Sequence, residues 1–216
     1  MIKDILLLVA VAMLGLSYSK VLVTYFKNQN KKSKDLTGFD LAKEITSNYD
    51  EINIVESKET YFSAYNGKRK VIRLTPKHYE RTDYFSLAIT SYLAGYSLCD
   101  MNQEQSIKLI KRVTPNLDYL CKSPIIVIII ALFTNNAGDA KIGLFMLILL
   151  TIYQYFVHQL HLCNIEALKQ QFKKIKVSLK KEIILEISET FASVTQTAFI
   201  ASLILMLREI LIILGM

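Results

Sequence analysis

The chain has 216 residues, a formal net charge of +7, 52% hydrophobic residues and 21% charged residues. Apolar runs this concentrated are not needed by a soluble domain, and the mixture suits several membrane segments joined by basic polar connections. The three cysteines, Cys99, Cys121 and Cys163, are odd in number and lack CxxC spacing. That argues against a disulfide framework or a cysteine zinc site, and for a reducing cytosolic side.

Taken in order, the apolar run Ile5 to Leu16 resumes after Lys20 with Val21-Leu22-Val23. Counted to Phe26 it reaches the ~20 residues a bilayer span requires. No small-residue cleavage site leads into a polar mature domain, so 1–26 reads as a retained membrane helix with Lys20 snorkelling. Trp is absent, which leaves interfacial anchoring to Tyr and Phe. Lys27, Lys31, Lys32 and Lys34 follow and mark the cytoplasmic side. They abut a membrane helix and lack an aromatic stacking platform, so orientation is favoured over nucleic-acid binding.

Residues 27–123 read as a small cytoplasmic α+β domain. Leu41 and Ile45 have helical spacing, and Ile52 to Glu56 and Lys70 to Leu74 read as strands. The turn Asn66-Gly67 has the chemistry to join two antiparallel strands. Thr75-Pro76 ends the second strand, and Pro76 to Tyr79 opens a turn or short helix. An apolar helix over 86–99 comes next, then a polar segment and a helix over Ser106 to Val113 carrying Lys108, Lys111 and Arg112. The runs Pro124–Phe133 and Ile142–Val157 form a membrane hairpin over 124–163 with a short external turn. The first run alone is short for a span. Lys169, Lys173, Lys174, Lys176, Lys180 and Lys181 make 164–190 a basic cytoplasmic helix. Residues 191–216 are a last span, interrupted by Arg208-Glu209. The expected fold is an α-helical integral membrane protein of about four transmembrane helices, both ends outside and the α+β domain inside.

The helix over 86–99 carries Tyr92-Leu93-Ala94-Gly95-Tyr96. Residues four apart face the same way on a helix, the spacing by which two histidines hold zinc beside a glutamate base. With tyrosines and a leucine in those places the stretch has the shape of a zinc site without its chemistry. On these five residues alone, a partly buried helix is the simpler account. His158 and His161 are three apart and could share a helix face, and with Cys163 and Cys99 they are candidates for a relocated metal site. The alternative is two histidines at the membrane–cytosol interface. Arg81 with Asp83, and Asp100 with Glu104, read as solvated charges, and Cys99 as a small apolar packer. There is no Gly-rich phosphate loop and no Gly-x-Ser-x-Gly elbow.

Leu36-Thr37-Gly38, then Tyr65-Asn66-Gly67-Lys68-Arg69-Lys70-Val71-Ile72-Arg73-Leu74-Thr75 continued by Pro76 and Tyr79, resemble the bacterial membrane-bound neutral zinc metallopeptidases. Members carry a Leu/Met-Thr-Gly motif, then Tyr-Asp-Pro-Arg-x-x-Val-x-Arg-Leu-Ser, then a small-residue helix entering His-Glu-x-Gly-His. Counting on from Tyr79 without a gap puts Tyr92 and Tyr96 on the two histidines and Leu93 on the glutamate, with Gly95 retained. The family's third ligand, a glutamate in Leu-Pro-x-Glu-Phe-x-Ala-Ser, falls on Leu160 of Val157 to Asn164. The resemblance therefore implies a metallopeptidase-like cytoplasmic domain in a degenerate member, with no catalytic residue, no metal ligand and no cofactor. It implies a pseudopeptidase in a bacterial plasma membrane whose partners are the lipid bilayer and another membrane protein, with no nucleic acid. Two alternatives stand beside it: an active peptidase with a displaced metal site at His158 and His161, and a structural subunit of a membrane complex.

Overall fold

The structure is a computed structural model describing residues 2–33, 36–57, 63–101, 118–134, 136–175 and 179–215. The expected helix over Ser106 to Val113 lies outside these residues, as do Lys34, Glu104 and Lys176. The chain forms two compact units, one of residues 21–112 and 160–191 and one of 1–20, 113–159 and 192–216.

The first unit is α+β. Helix α2, Gly38–Ile45, opens with a capping box: Thr37 Oγ1 accepts from the Asp40 amide at 3.2 Å, and Asp40 accepts from the Thr37 amide at 3.1 Å. Gly38 is required by a close approach, since a Cβ there would stand 1.9 Å from the His78 carbonyl oxygen. This accounts physically for Leu36-Thr37-Gly38: the threonine starts the helix and the glycine lets it press on the next one. Strands β1 (Asn53–Glu56), β2 (Ala64–Asn66) and β3 (Val71–Leu74) form a sheet in the order β1-β3-β2. The Asn66-Gly67 turn joins the antiparallel pair β2 and β3, with Asn66 Oδ1 accepting from the amides of Lys68 and Arg69. β1 pairs with β3 in parallel, Asn53 opposite Val71. Ile72 and Leu74 of the central strand are fully buried.

Helix α3, Pro76–Glu80, starts on the proline as expected. Helix α4 runs from Tyr84 to Met101 and packs on α2, α3, β2 and β3. Asp83 begins it, accepting from the Ser86 amide at 2.9 Å and the Ser86 hydroxyl at 2.8 Å. Asp83 is 8% exposed, so it is a buried cap and not the solvated charge its sequence context suggests. The α4 side chains are buried on nearly every side, as befits a helix apolar all round.

Among the described residues three helices are long and apolar enough to cross a membrane: α1 (Ile2–Asn28), α6 (Ala137–Lys174) and α7 (Lys181–Ile213). The expected count of about four is therefore three. Helix α5, Asp118–Phe133, has 16 residues, about 24 Å at the helical rise against about 30 Å of hydrocarbon. The expected boundary between hairpin and basic helix at 163–164 is absent. With no Gly or Pro between His158 and Lys174, α6 continues unbroken for 38 residues. The break falls after Lys174, where Lys181 Nζ donates to the Phe172 carbonyl at 2.6 Å and to the Ile175 carbonyl.

The second unit packs α1, α5, α6 and α7 segments around Ala10, Leu14, Val127, Ala131, Leu147, Ala198, Ala201 and Leu205. Four of these eight are alanines, which let membrane helices approach closely. Arg208 and Glu209, 5% and 0% exposed, are paired at 2.6 Å inside this unit, and Thr134 Oγ1 donates to Glu209 at 2.8 Å.

Candidate functional site

Tyr92, Leu93 and Tyr96 lie on α4 with 6%, 3% and 8% exposure, so all three motif positions are buried. Gly95 between them is where α4 meets the C-terminal part of α6. A Cβ there would come within 2.1 Å of Asn164 Oδ1 and 2.7 Å of Leu168 Cγ. Only glycine permits that contact, and Asn164 Nδ2 fixes it by donating to the Tyr92 carbonyl at 2.8 Å.

The tyrosines are held by different partners. The Tyr92 hydroxyl lies 3.3 Å from His161 Nε2 and donates to it when Nδ1 carries the ring proton. Their rings are 5.3 Å apart, and Phe191 stands edge-on to Tyr92 at 6.2 Å. Tyr96 meets Tyr65 of β2 edge-on at 6.1 Å, and the Tyr65 hydroxyl donates to Asp100 Oδ2 at 2.6 Å. Burial first, and Tyr96 beside it second, push the Tyr65 phenol up to about 12. Asp100 is thus a hydrogen-bond acceptor at the end of α4, where the sequence suggests a solvated charge.

Leu160 is 3% exposed, and its neighbour His161 faces the Tyr92 hydroxyl while Asn164 of the same segment bonds the Tyr92 carbonyl. His158 takes another partner, with Nδ1 3.4 Å from Thr195 Oγ1. Cys99 and Cys163 meet across α4 and α6 with their sulfurs 2.7 Å apart. The four candidates for a relocated metal site therefore go to three separate partners. Sequence reasoning missed Asn164, Ser91 and Phe191. The spacing of Leu160, Asn164 and Leu168 along one face of α6 carried the signal for Asn164, a polar residue on a buried stripe.

These residues do not fit a catalytic zinc. Such a site needs about three N, O or S ligands and an open position for water. A neutral tyrosine, ordinarily titrating near 10, is a poor substitute for imidazole, and leucine neither ligates nor moves a proton. Among the described residues no three His, Cys, Asp or Glu side chains come together to hold a metal ion. What the site does contain is buried polarity: among the described residues His161 Nδ1, Asn164 Oδ1 and Ser91 Oγ have no hydrogen-bond partner. An open groove of about 680 Å³ lies elsewhere in the unit, along α2 and β1, lined by Phe39, Lys43, Tyr49 and Ile54 among others.

A second polar cluster ties β2, β3 and α3 together. Ser63 Oγ accepts from the Thr75 amide at 2.9 Å and lies 2.7 Å from His78 Nδ1, donating to it when Nε2 carries the ring proton. Burial first, then the nearby Lys77 charge, lower His78 to about 4, so it is neutral at pH 7. This cluster stands under the threonine and proline that follow the third strand, the end of the Tyr65 to Thr75 motif.

Comparison with known proteins agrees with these motifs. A family model described as "Putative neutral zinc metallopeptidase" matches residues 3–158. No curated protein and no solved structure matches the chain. The match takes in α1, the sheet, α4 and the first half of α6, well over half of the 216 residues, and the chain belongs to this neutral zinc metallopeptidase family.

Proposed function

We propose that the chain is a membrane pseudopeptidase, a family member that has lost hydrolysis and serves as a binding or assembly partner of another membrane protein. The observation that carries this reading is the content of the motif. Tyr92, Leu93 and Tyr96 fill the positions of two histidines and a glutamate, are buried, and are locked in place by His161, Asn164, Tyr65 and Phe191. A catalytic centre needs room for water and substrate, and this one is packed with aromatic rings.

The setting is a bacterial plasma membrane with the α+β unit on the cytoplasmic face. Lys27, Lys31 and Lys32 flank α1, and the basic segments at the end of α6 and start of α7 belong to the same unit. Residues 21–112 and 160–191 form one compact unit, which supports a hairpin of α5 and α6 in the chain between them. The test is purification of the full-length protein from native membranes under mild detergent. A stoichiometric membrane-protein partner and no cleavage of peptide or membrane-protein substrates are expected. A chain isolated alone, or peptide hydrolysis above that of a Tyr92→Ala, Tyr96→Ala control, contradicts the reading.

A further inference from the structure

Cys99 is 2% exposed on α4, one turn after Gly95, and Cys163 is half-buried on α6, beside Asn164. Their Sγ atoms are 2.7 Å apart, close enough for a disulfide of about 2.0 Å to form with little movement of either helix. Two features that owe nothing to sulfur hold the helices at this distance. Gly95 has no Cβ to push α6 away, and Asn164 donates to the Tyr92 carbonyl. The sulfurs meet because the backbones are clamped one turn earlier.

We propose that Cys99 and Cys163 are a reversible oxidation site, converted by a peroxide into a disulfide that staples α4 to α6 beside the tyrosine cluster. Cys163, the more exposed, reacts first. Its sulfur attacks one peroxide oxygen, the O–O bond breaks, and Cys163 becomes a sulfenic acid as the first water leaves. The Cys99 sulfur then attacks Cys163 Sγ, the S–O bond breaks, and the hydroxyl departs with the Cys99 proton as the second water. In sum two thiols and one hydrogen peroxide give one disulfide and two waters: each sulfur gives up one electron and each peroxide oxygen takes one. A disulfide reductant reverses the step. The linked residues are 64 apart in sequence, and no spacing motif announces them. The inference is independent of whether the chain cleaves peptides.

The experiment uses the full-length protein in detergent, reduced, desalted, treated with hydrogen peroxide, quenched with N-ethylmaleimide and digested. A linked Cys99–Cys163 peptide is expected, with Cys121 alkylated and the link lost on dithiothreitol. The oxidised wild type should melt several degrees higher than the reduced form, a shift absent in Cys163→Ser. In Cys99→Ala, Cys163 should instead accumulate as a sulfenic acid trapped by dimedone. Alkylation of both Cys99 and Cys163 after peroxide, or a link from either to Cys121, overturns the proposal.

Discussion

At the scale of single residues the motif side chains Tyr92, Leu93 and Tyr96 are buried, and the two tyrosines pack against named partners. Tyr92→Phe keeps the ring and removes the hydroxyl, leaving His161 Nε2 buried without its partner. That orphaned group should cost about 1–3 kcal/mol, read as a lower unfolding midpoint. Two titrations follow from burial. The folded protein holds the Tyr65 proton more tightly than the unfolded chain does, so this contribution to stability is intact below pH 10 and lost as the pH rises towards about 12. A spectrophotometric phenolate titration should show one late-titrating tyrosine that disappears in Tyr65→Phe. His78 runs the other way: its contribution is intact above pH 6.5 and lost as the pH falls through about 4. Melting temperature against pH should fall less steeply between those values in His78→Asn, which keeps an acceptor for Ser63 and cannot protonate.

The elements show how far a sequence can be read. Tyr92 and Tyr96 share a helix because four residues nearly complete a turn, and the helix was legible to within two residues at each end. The pairing of β1 in parallel with β3 was not legible, because a strand's alternation does not name its neighbour. Asp83 was misread for a related reason: an acid before a helix is solvated or buried according to what packs over it, which belongs to tertiary structure. His161, which faces the Tyr92 hydroxyl, was visible as a residue, but i and i+3 spacing with His158 suggested a shared partner they do not have. Asp83→Ala should cost about 0.5–2 kcal/mol as a lost cap. Gly95→Ala should cost more than a glycine substitution in an open helix, because its Cβ meets Asn164 and Leu168 across the joint. Both are checked by denaturant unfolding of the purified variants.

For the whole molecule the question is what the family scaffold is used for. The membrane unit keeps a buried Arg208–Glu209 pair with Thr134, and removing one partner leaves a charge alone in an apolar bundle. Arg208→Ala should therefore destabilise by about 3–5 kcal/mol, while replacing both charges with apolar residues should cost much less. The chain belongs to a neutral zinc metallopeptidase family, and we propose that Tyr92, Leu93 and Tyr96 stand where that family binds and uses its metal. Zinc content of the purified full-length protein tests that claim most directly. After exchange into zinc-containing buffer and removal of free metal, we predict far less than one zinc per chain, unchanged by His161→Ala or His158→Ala. One tightly held zinc per chain, lost on substituting either histidine, would contradict it.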